Sequence, residues 1–343
     1  MKRAPKIAAL LAAAALGLSA CGSTGDTQPS NNGAQGGGGD AKFPTSGETV
    51  KYEPGDVVKP KDGKKLKIGA SFPVLDQFLK TVADSIEERG REAGIEVTIN
   101  SAEEKVEVQL NQIENFLASG VDALIVLPQD TATTQQITEK AQAAGVPLIY
   151  VNRRPDNLPA GVPYVGSDSL YAGQIQMEAL AKLAGEKGNV FILQGDPTQE
   201  AAQMRTKGCA DTVAKYPEMK LVTTQAGLWQ RDKGLAITET WLQSGDEVNV
   251  ICSNNDEMAL GAIQALENAG KLDDVIVGGV DATADAIAAM DAGKLEVTVF
   301  QDAKGQGQAG VDTAIQMING ETVPAVVDVP YVLVTPEDTA KYK

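Results

Sequence analysis

No histidine occurs anywhere in the 343 residues. That absence removes the commonest acid–base group working near neutral pH, and with it every histidine-ligated metal centre. Positive charge is outnumbered, with 30 Lys and Arg against 46 Asp and Glu and a formal net charge of −16. Nucleic acid and anionic membrane surfaces need clustered cations, so neither is an expected partner. Cysteine is limited to Cys21, Cys209 and Cys252. With no cysteine or histidine cluster, no bound metal or other cofactor is expected. Long apolar runs are missing as well. No run approaches the ~20 apolar residues of a membrane-spanning helix.

What is present begins with a leader. Lys2, Arg3 and Lys6 precede the apolar run Ile7–Leu18, and Leu18-Ser19-Ala20-Cys21 follows. A cationic start, a short apolar stretch and small residues before a cut site describe a signal peptide over residues 1–20. The cysteine at its end resembles that of a bacterial lipoprotein signal. This implies a lipid on Cys21, and an extracytoplasmic protein held to the cell membrane by that anchor alone. Residues 22–40, rich in Gly, Ser, Asn and Gln, cannot form a core and read as a flexible tether. The tether is taken as far as residue 64, the stretch 41–64 being Pro/Lys/Gly-rich with no clear structure. Cys209 and Cys252 are widely separated, and the reading favours two free thiols.

From Leu66 onward, short β-branched runs alternate with helical periodicity. Leu66–Ala70, Ile95–Ile99, Ala123–Leu127 and Pro147–Val151 read as strands. The helices between them stop at Gly94, Gly120 and Gly145. After a proline-rich stretch near 152–163 the alternation restarts and runs to a final extended segment, Val326–Val334. Such repetition predicts an α/β protein with doubly wound parallel sheets and right-handed crossovers. The segments 120–152 and 248–281 follow one plan: strand, polar turn, helix, Ala-Gly, strand, polar residue. Two similar lobes facing one cleft are therefore expected, 65–166 plus 302–329 and 167–301 plus 330–343. Three crossings, near Gly166, Gln301 and Val329, would form a hinge.

In open α/β sheets ligands lie at the carboxyl ends of strands. There the chain places Asp76 and Phe78, Asn152 and Arg153, Asn255, Asp281 and Gln301. Loop residues Gln199, Arg205 and Trp229 can join them. Carboxylates and amides suit the donor–acceptor edge of a sugar, and aromatic rings suit its faces. Each residue has a plainer role available. Asp76, Asn255 and Asp281 can cap the helices that follow. Phe78 and Trp229 can be core, and Arg205 can be a solvated ion-pair partner. Trp241 is assigned to packing.

Ser253-Asn-Asn-Asp-Glu-Met-Ala-Leu-Gly261 and Gly278-Gly-Val-Asp281 resemble motifs of the periplasmic sugar-binding proteins of the ribose/galactose type, the solute receptors of ABC importers. Asp76-Gln-Phe78, Asn152-Arg153 and Gln301 support the match. The resemblance covers residues 65 to 334. It implies a non-enzymatic, monomeric receptor that closes on a monosaccharide such as galactose, glucose, xylose or ribose and delivers it to an ABC permease. Within the glucose/galactose branch, Asp76, Asn152, Arg205, Asn255 and Asp281 fall at polar ligand positions. Phe78 and Trp229 fall at stacking positions, and Gln301 stands where the branch has an asparagine. Gln199 and Ala201 depart from that branch's histidine and aspartate, which leaves another aldose or a cyclitol open. Gly185–Val190 carries no calcium loop. A transcription regulator would need a helix-turn-helix where the leader and tether stand. An enzyme would need a nucleophile–base pair or a phosphate fingerprint, neither of which is evident. A sugar or cyclitol sensor feeding a chemoreceptor or histidine kinase would share the fold and the cleft.

Overall fold

The computed structural model describes residues 43–343. The leader, Cys21 and the chain as far as residue 42 lie outside the described residues. The body opens with β1 (Thr45–Lys51), β2 (Lys67–Phe72), α1 (Gln77–Ala93), β3 (Glu96–Ser101) and α2 (Val106–Ser119). It continues through β4 (Ala123–Val126), α3 (Thr134–Ala144), β5 (Leu148–Val151) and β6 (Tyr164–Gly166). These strands, joined late in the chain by β12 (Val323–Asp328), form one seven-stranded parallel sheet in the order β1-β12-β6-β5-β4-β2-β3.

The second half supplies α4 (Ser169–Leu183), β7 (Lys187–Gln194), α5 (Glu200–Val213), β8 (Glu218–Ala226) and α6 (Arg231–Gln243). Next come β9 (Val250–Ser253), α7 (Asp256–Ala269), β10 (Ile276–Gly278), α8 (Ala284–Asp291) and β11 (Thr298–Phe300). Strands β10-β9-β7-β8 form a four-stranded parallel sheet. The chain then returns to the first sheet through α9 (Ala303–Ile318) and β12, and leaves again to β13 (Val332–Val334), which pairs antiparallel with β11. It therefore passes between the sheets three times: after Gly166, after Phe300 and after Asp328.

Both sheets are buried on two faces, which explains their near-continuous apolar strands. On β4, Ile125 packs with Val82 and Ile86 of α1 and Val311 and Ile315 of α9, while its neighbours Leu124 and Val126 join Ile113 of α2 and Ile137 of α3. The second sheet repeats this: Ile251 faces Trp241, Met258 and Ile263, and Val250 and Cys252 face Met177, Leu180 and Cys209. Trp241 is thus a packing residue, and its ring lies 5.0 Å from that of Phe191. The glycine stops behave as the sequence suggests. Gly120 and Gly270 end α2 and α7 in the left-handed region, at φ 75° and 64°, where only glycine sits without strain.

Three expectations are corrected. Thr45–Lys51 is a strand, not tether. Its side chains are mostly exposed, so no apolar pattern announces it, and backbone pairing to β12 alone makes it. From there to Lys61 the chain is fastened down by Tyr52 on Gln308, Val58 on Asp312 and Lys61 on Asn319. The extended run Val326–Val334 is two strands in different sheets, split where Pro330 cannot donate to a ladder. Finally, Cys209 and Cys252 are a disulfide, not free thiols. They are 43 residues apart, but α5 packs on the second sheet and brings both into one buried cluster.

Candidate functional site

The predicted site residues come from the carboxyl ends of strands in the two main sheets and of β11, or from the loops and helices that follow them. Asp76 and Phe78 follow β2, and Asn152 and Arg153 follow β5. Gln199 and Arg205 sit at the start of α5, and Trp229 lies between β8 and α6. Asn255, Asp281 and Gln301 follow β9, β10 and β11. All ten line one cavity of about 50 Å³, together with Leu79 and Ala201. A wider mouth of about 570 Å³ shares Asp76, Arg153, Gln199 and Trp229, and adds Glu104, Gln129, Asp196 and Glu257. The mouth falls within the range of small-molecule sites, and the inner cavity alone is smaller than one. Every chemistry-bearing position expected from the sequence is therefore in one place.

The plainer roles are resolved individually. Asp76 does cap α1, accepting from the Leu79 N–H at 2.7 Å, and Asn255 caps α7, accepting from Met258 N–H at 3.1 Å. Capping uses one oxygen of each; the second Asp76 oxygen remains for the cavity, while Asn255 Nδ2 also donates to the Trp229 carbonyl at 3.3 Å and keeps one hydrogen over. Asp281 caps nothing; Thr283 begins α8 instead. Arg205 is not a solvated surface cation but is only 4% exposed. Its Nη1 donates to the Asn254 carbonyl at 2.7 Å, and Nη2 donates to Gln301 Oε1 at 2.9 Å and to Tyr331 Oη at 2.6 Å. The helices behind it touch closely: a Cβ on Gly173 of α4 would lie 2.1 Å from the Arg205 carbonyl oxygen. Its Nε is buried with no partner within the protein. A buried N–H left unpaired is costly, and no group among the described residues offsets that cost here.

Trp229 is held by three features. Its Nε1 donates to Gln199 Oε1 at 2.9 Å, and the Arg205 guanidinium stands 5.7 Å from its ring. Its ring also presses on Gly195, where a Cβ would lie 2.2 Å from the indole. The backbone beneath these side chains is unusual. Asn152, Trp229 and Asp281 have φ of 63°, 68° and 124°, and Leu228 and Ala282 share the left-handed region. Non-glycine residues are held there only when the surroundings over-determine them, and such positions cluster at functional sites.

Charge in the cavity is balanced but not paired off. Burial raises the Asp76 carboxyl above its usual value. Burial pushes Asp281 well above the usual range; Arg205 offsets this only in part, and Asp256 adds to it. The Arg205 Nη1 lies 3.7 Å from Asp281, too far for a good hydrogen bond. Burial lowers Arg153 to about 10, and its Nη1 donates to the Pro128 carbonyl at 3.2 Å. Burial opposes the Arg205 cation too, but Tyr331 and Asp281 outweigh it and raise its value. The cavity thus offers two carboxylates, two guanidiniums and four amides around two aromatic rings. Among the described residues no group of His, Cys, Asp and Glu is placed to hold a metal ion, and no helix is long and apolar enough to cross a membrane. Sequence reasoning missed Tyr331, whose contact with Arg205 spans 126 residues, and the mouth residues Glu104 and Asp196, which sit on loops without a motif. Glu257, in the first turn of α7, lies within Ser253–Gly261 but was not singled out.

Comparison with known proteins agrees with this architecture. The profile of the periplasmic binding protein domain matches residues 68–322. A protein of Rhizobium meliloti named for rhizopine binding is 41% identical over 284 residues, which is 80% of this chain and 92% of that one. A solved ABC transporter solute binding protein from Bacillus halodurans, with bound myo-inositol, is 42% identical at a TM-score of 0.79. The match covers 82% of this chain and 98% of that one. A periplasmic one from Actinobacillus succinogenes, with bound D-allose, is 31% identical at a TM-score of 0.78, covering 81% and 100%. These relatives are binding proteins, not enzymes. The chain belongs to the periplasmic binding protein family, among the sugar- and polyol-binding solute receptors of ABC transporters.

Proposed function

We propose that this protein is an extracytoplasmic receptor that encloses one neutral, polyhydroxylated ring, a monosaccharide or a cyclitol, and delivers it to an ABC permease. The observation that carries the reading is the meeting of ten side chains from two sheets in one cavity, with the buried Arg205 Nε unpartnered. A ring hydroxyl both donates and accepts. It can give its proton to Asp76 or Asp281 while taking one from Arg153, Arg205 or an amide of Asn152, Asn255, Gln199 or Gln301. Phe78 and Trp229 supply apolar plates for the ring carbons.

Calorimetry against a panel of aldoses, cyclitols and amino acids tests the reading, with myo-inositol and D-allose first because relatives hold them. Binding of a cyclitol or aldose, unchanged by chelator, is expected. Tight binding of an amino acid and of no polyol would overturn it.

The lobes act as monomeric jaws in this proposal, divided as 65–166 plus 302–329 and 167–301 plus 330–343. A ligand touching both favours the closed state, since only there are both sets of contacts made. Cys21 is the proposed lipid attachment point. Labelled palmitate should enter the wild-type protein and not Cys21→Ala; no label in the wild type would remove the anchor from the proposal.

A further inference from the structure

Asp281 is the ligand-facing carboxylate with the least support of its own. It caps no helix, its nearest cation is 3.7 Å away, and its backbone is in a region that side chains seldom adopt. Its direction is therefore set by whatever holds residues 280–283. The Asp281 backbone is held by β11 and the residue after it, its N–H donating to the Val299 carbonyl at 2.8 Å and its carbonyl accepting from the Gln301 N–H at 3.3 Å. The turn beyond it falls to Asp256, the first residue of α7, which is fully buried. Asp256 does not serve its own helix. Its Oδ2 accepts from the Thr283 N–H at 2.8 Å and lies 3.3 Å from Thr283 Oγ1. Its Oδ1 accepts from Thr298 Oγ1 at 2.7 Å, and that hydroxyl in turn accepts from the Ala282 N–H at 3.2 Å. The Asp256 N–H donates to the Val280 carbonyl at 2.8 Å. A Cβ on Gly279 would come 2.2 Å from Asp256 Oδ1, so the chain passes as close to this carboxylate as glycine allows.

No Lys or Arg faces Asp256 among the described residues. A buried carboxylate without a cation is expensive, and here three hydrogen bonds to one turn and one strand take the cation's place. We propose that Asp256 is the positioning residue for Asp281: it clamps the left-handed turn 281–282 between α7 and β11, aiming the Asp281 carboxylate into the cavity. The proposal rests on the receptor reading for the role of Asp281. It assigns Asp256 no contact with ligand.

Two measurements test it. Amide exchange in the ligand-free protein comes first. Asp256→Asn keeps the shape but turns one acceptor into a donor facing Thr283 or Thr298. Exchange at Ala282 and Thr283 should speed up by more than about tenfold, with first-lobe amides unchanged. Unchanged exchange overturns the clamp whatever the protein binds. The second is a double-mutant cycle by calorimetry, using whichever of myo-inositol and D-allose the wild type binds more tightly. Asp256→Asn should weaken binding about tenfold alone, and should add nothing once Asp281 is Ala. An equal fold-loss in both backgrounds would mean a general structural role and overturn the proposal. If Asp256→Asn does not fold, Thr298→Val enters the same cycle, with Thr298→Ser expected to restore both signals. A wild type that binds no polyol sinks the receptor reading alone, because the exchange experiment needs no ligand.

Discussion

At the scale of single residues, the cavity depends on carboxylates held away from water. Asp76 and Asp281 both have carboxyls raised above the usual 3.8 by burial. In the ligand-free fold they therefore keep protons that the unfolded chain has already lost. Stability should fall as pH climbs from 3.8 through the raised values, since over that window the native state binds more protons. Affinity should move the other way, because a ring hydroxyl donates more strongly to a carboxylate than to a carboxylic acid. No histidine adds to this window, but the Asp256 carboxyl behind Asp281, pushed up to about 7 by burial, titrates in it as well. Calorimetry from mildly acidic to neutral pH should thus show binding tightening to a plateau. Asp281→Asn should weaken it by about one to two decades and flatten most of the slope. Affinity that is level across the range would mean that neither carboxyl meets the ligand. The identity of these residues could be read from strand ends and the family motifs. Their precarious backbone could not, because left-handed φ at Asn152, Trp229 and Asp281 follows from tertiary contacts such as Asp256–Thr283, not from local propensity.

At the scale of elements, the alternation of strand and helix was readable because periods of 2 and 3.6 are local properties. Helix α7 shows this: Met258, Ala262, Ile263 and Leu266 recur on one buried face, and Gly270 ends it. What could not be read was pairing. Strand β1 has no periodic core face, β12 and β13 look like one run, and a 43-residue gap between cysteines says nothing of their distance in space. The disulfide joins α5, which carries Arg205, to β9, which leads into Asn255. Cys209→Ser with Cys252→Ser should lower unfolding stability by about 2–4 kcal/mol, as expected for a cross-link closing a loop of this length. Denaturant unfolding followed through Trp241, buried in the second lobe, checks it. An unchanged midpoint would mean that the packing of α5 on the sheet already suffices.

At the scale of the whole molecule, the two sheets are linked by three crossings and share one cavity. Loops of the two halves already meet across it: Thr131 Oγ1 donates to the Thr198 carbonyl at 2.8 Å, and Gln199 reaches the Gln129 carbonyl at 3.4 Å. Gln199 also holds the Trp229 indole, so any parting of these loops should be felt by that ring. Saturating ligand is therefore expected to change tryptophan emission in the wild type and in Trp241→Phe, but not in Trp229→Phe. The radius of gyration from small-angle scattering should fall at the same ligand concentrations. If neither signal responds while calorimetry records binding, the lobes do not close and the receptor is rigid.

The early strand β1 has a mechanical side. It bonds only to β12, its last pair brings Lys51 to Asp328 just before the third crossing, and the segment behind it is fastened to α9 and, through Arg89, to α1. All of these attachments lie on the first lobe. Under the proposed closure, a grip on the chain ahead of Thr45 would act on that lobe alone and make it the stator, and the second lobe, bearing Trp229, Arg205 and Asp281, would be the rotor. A permease beneath would meet one jaw at a constrained attitude, and would read the arrival of cargo from the angle of the other.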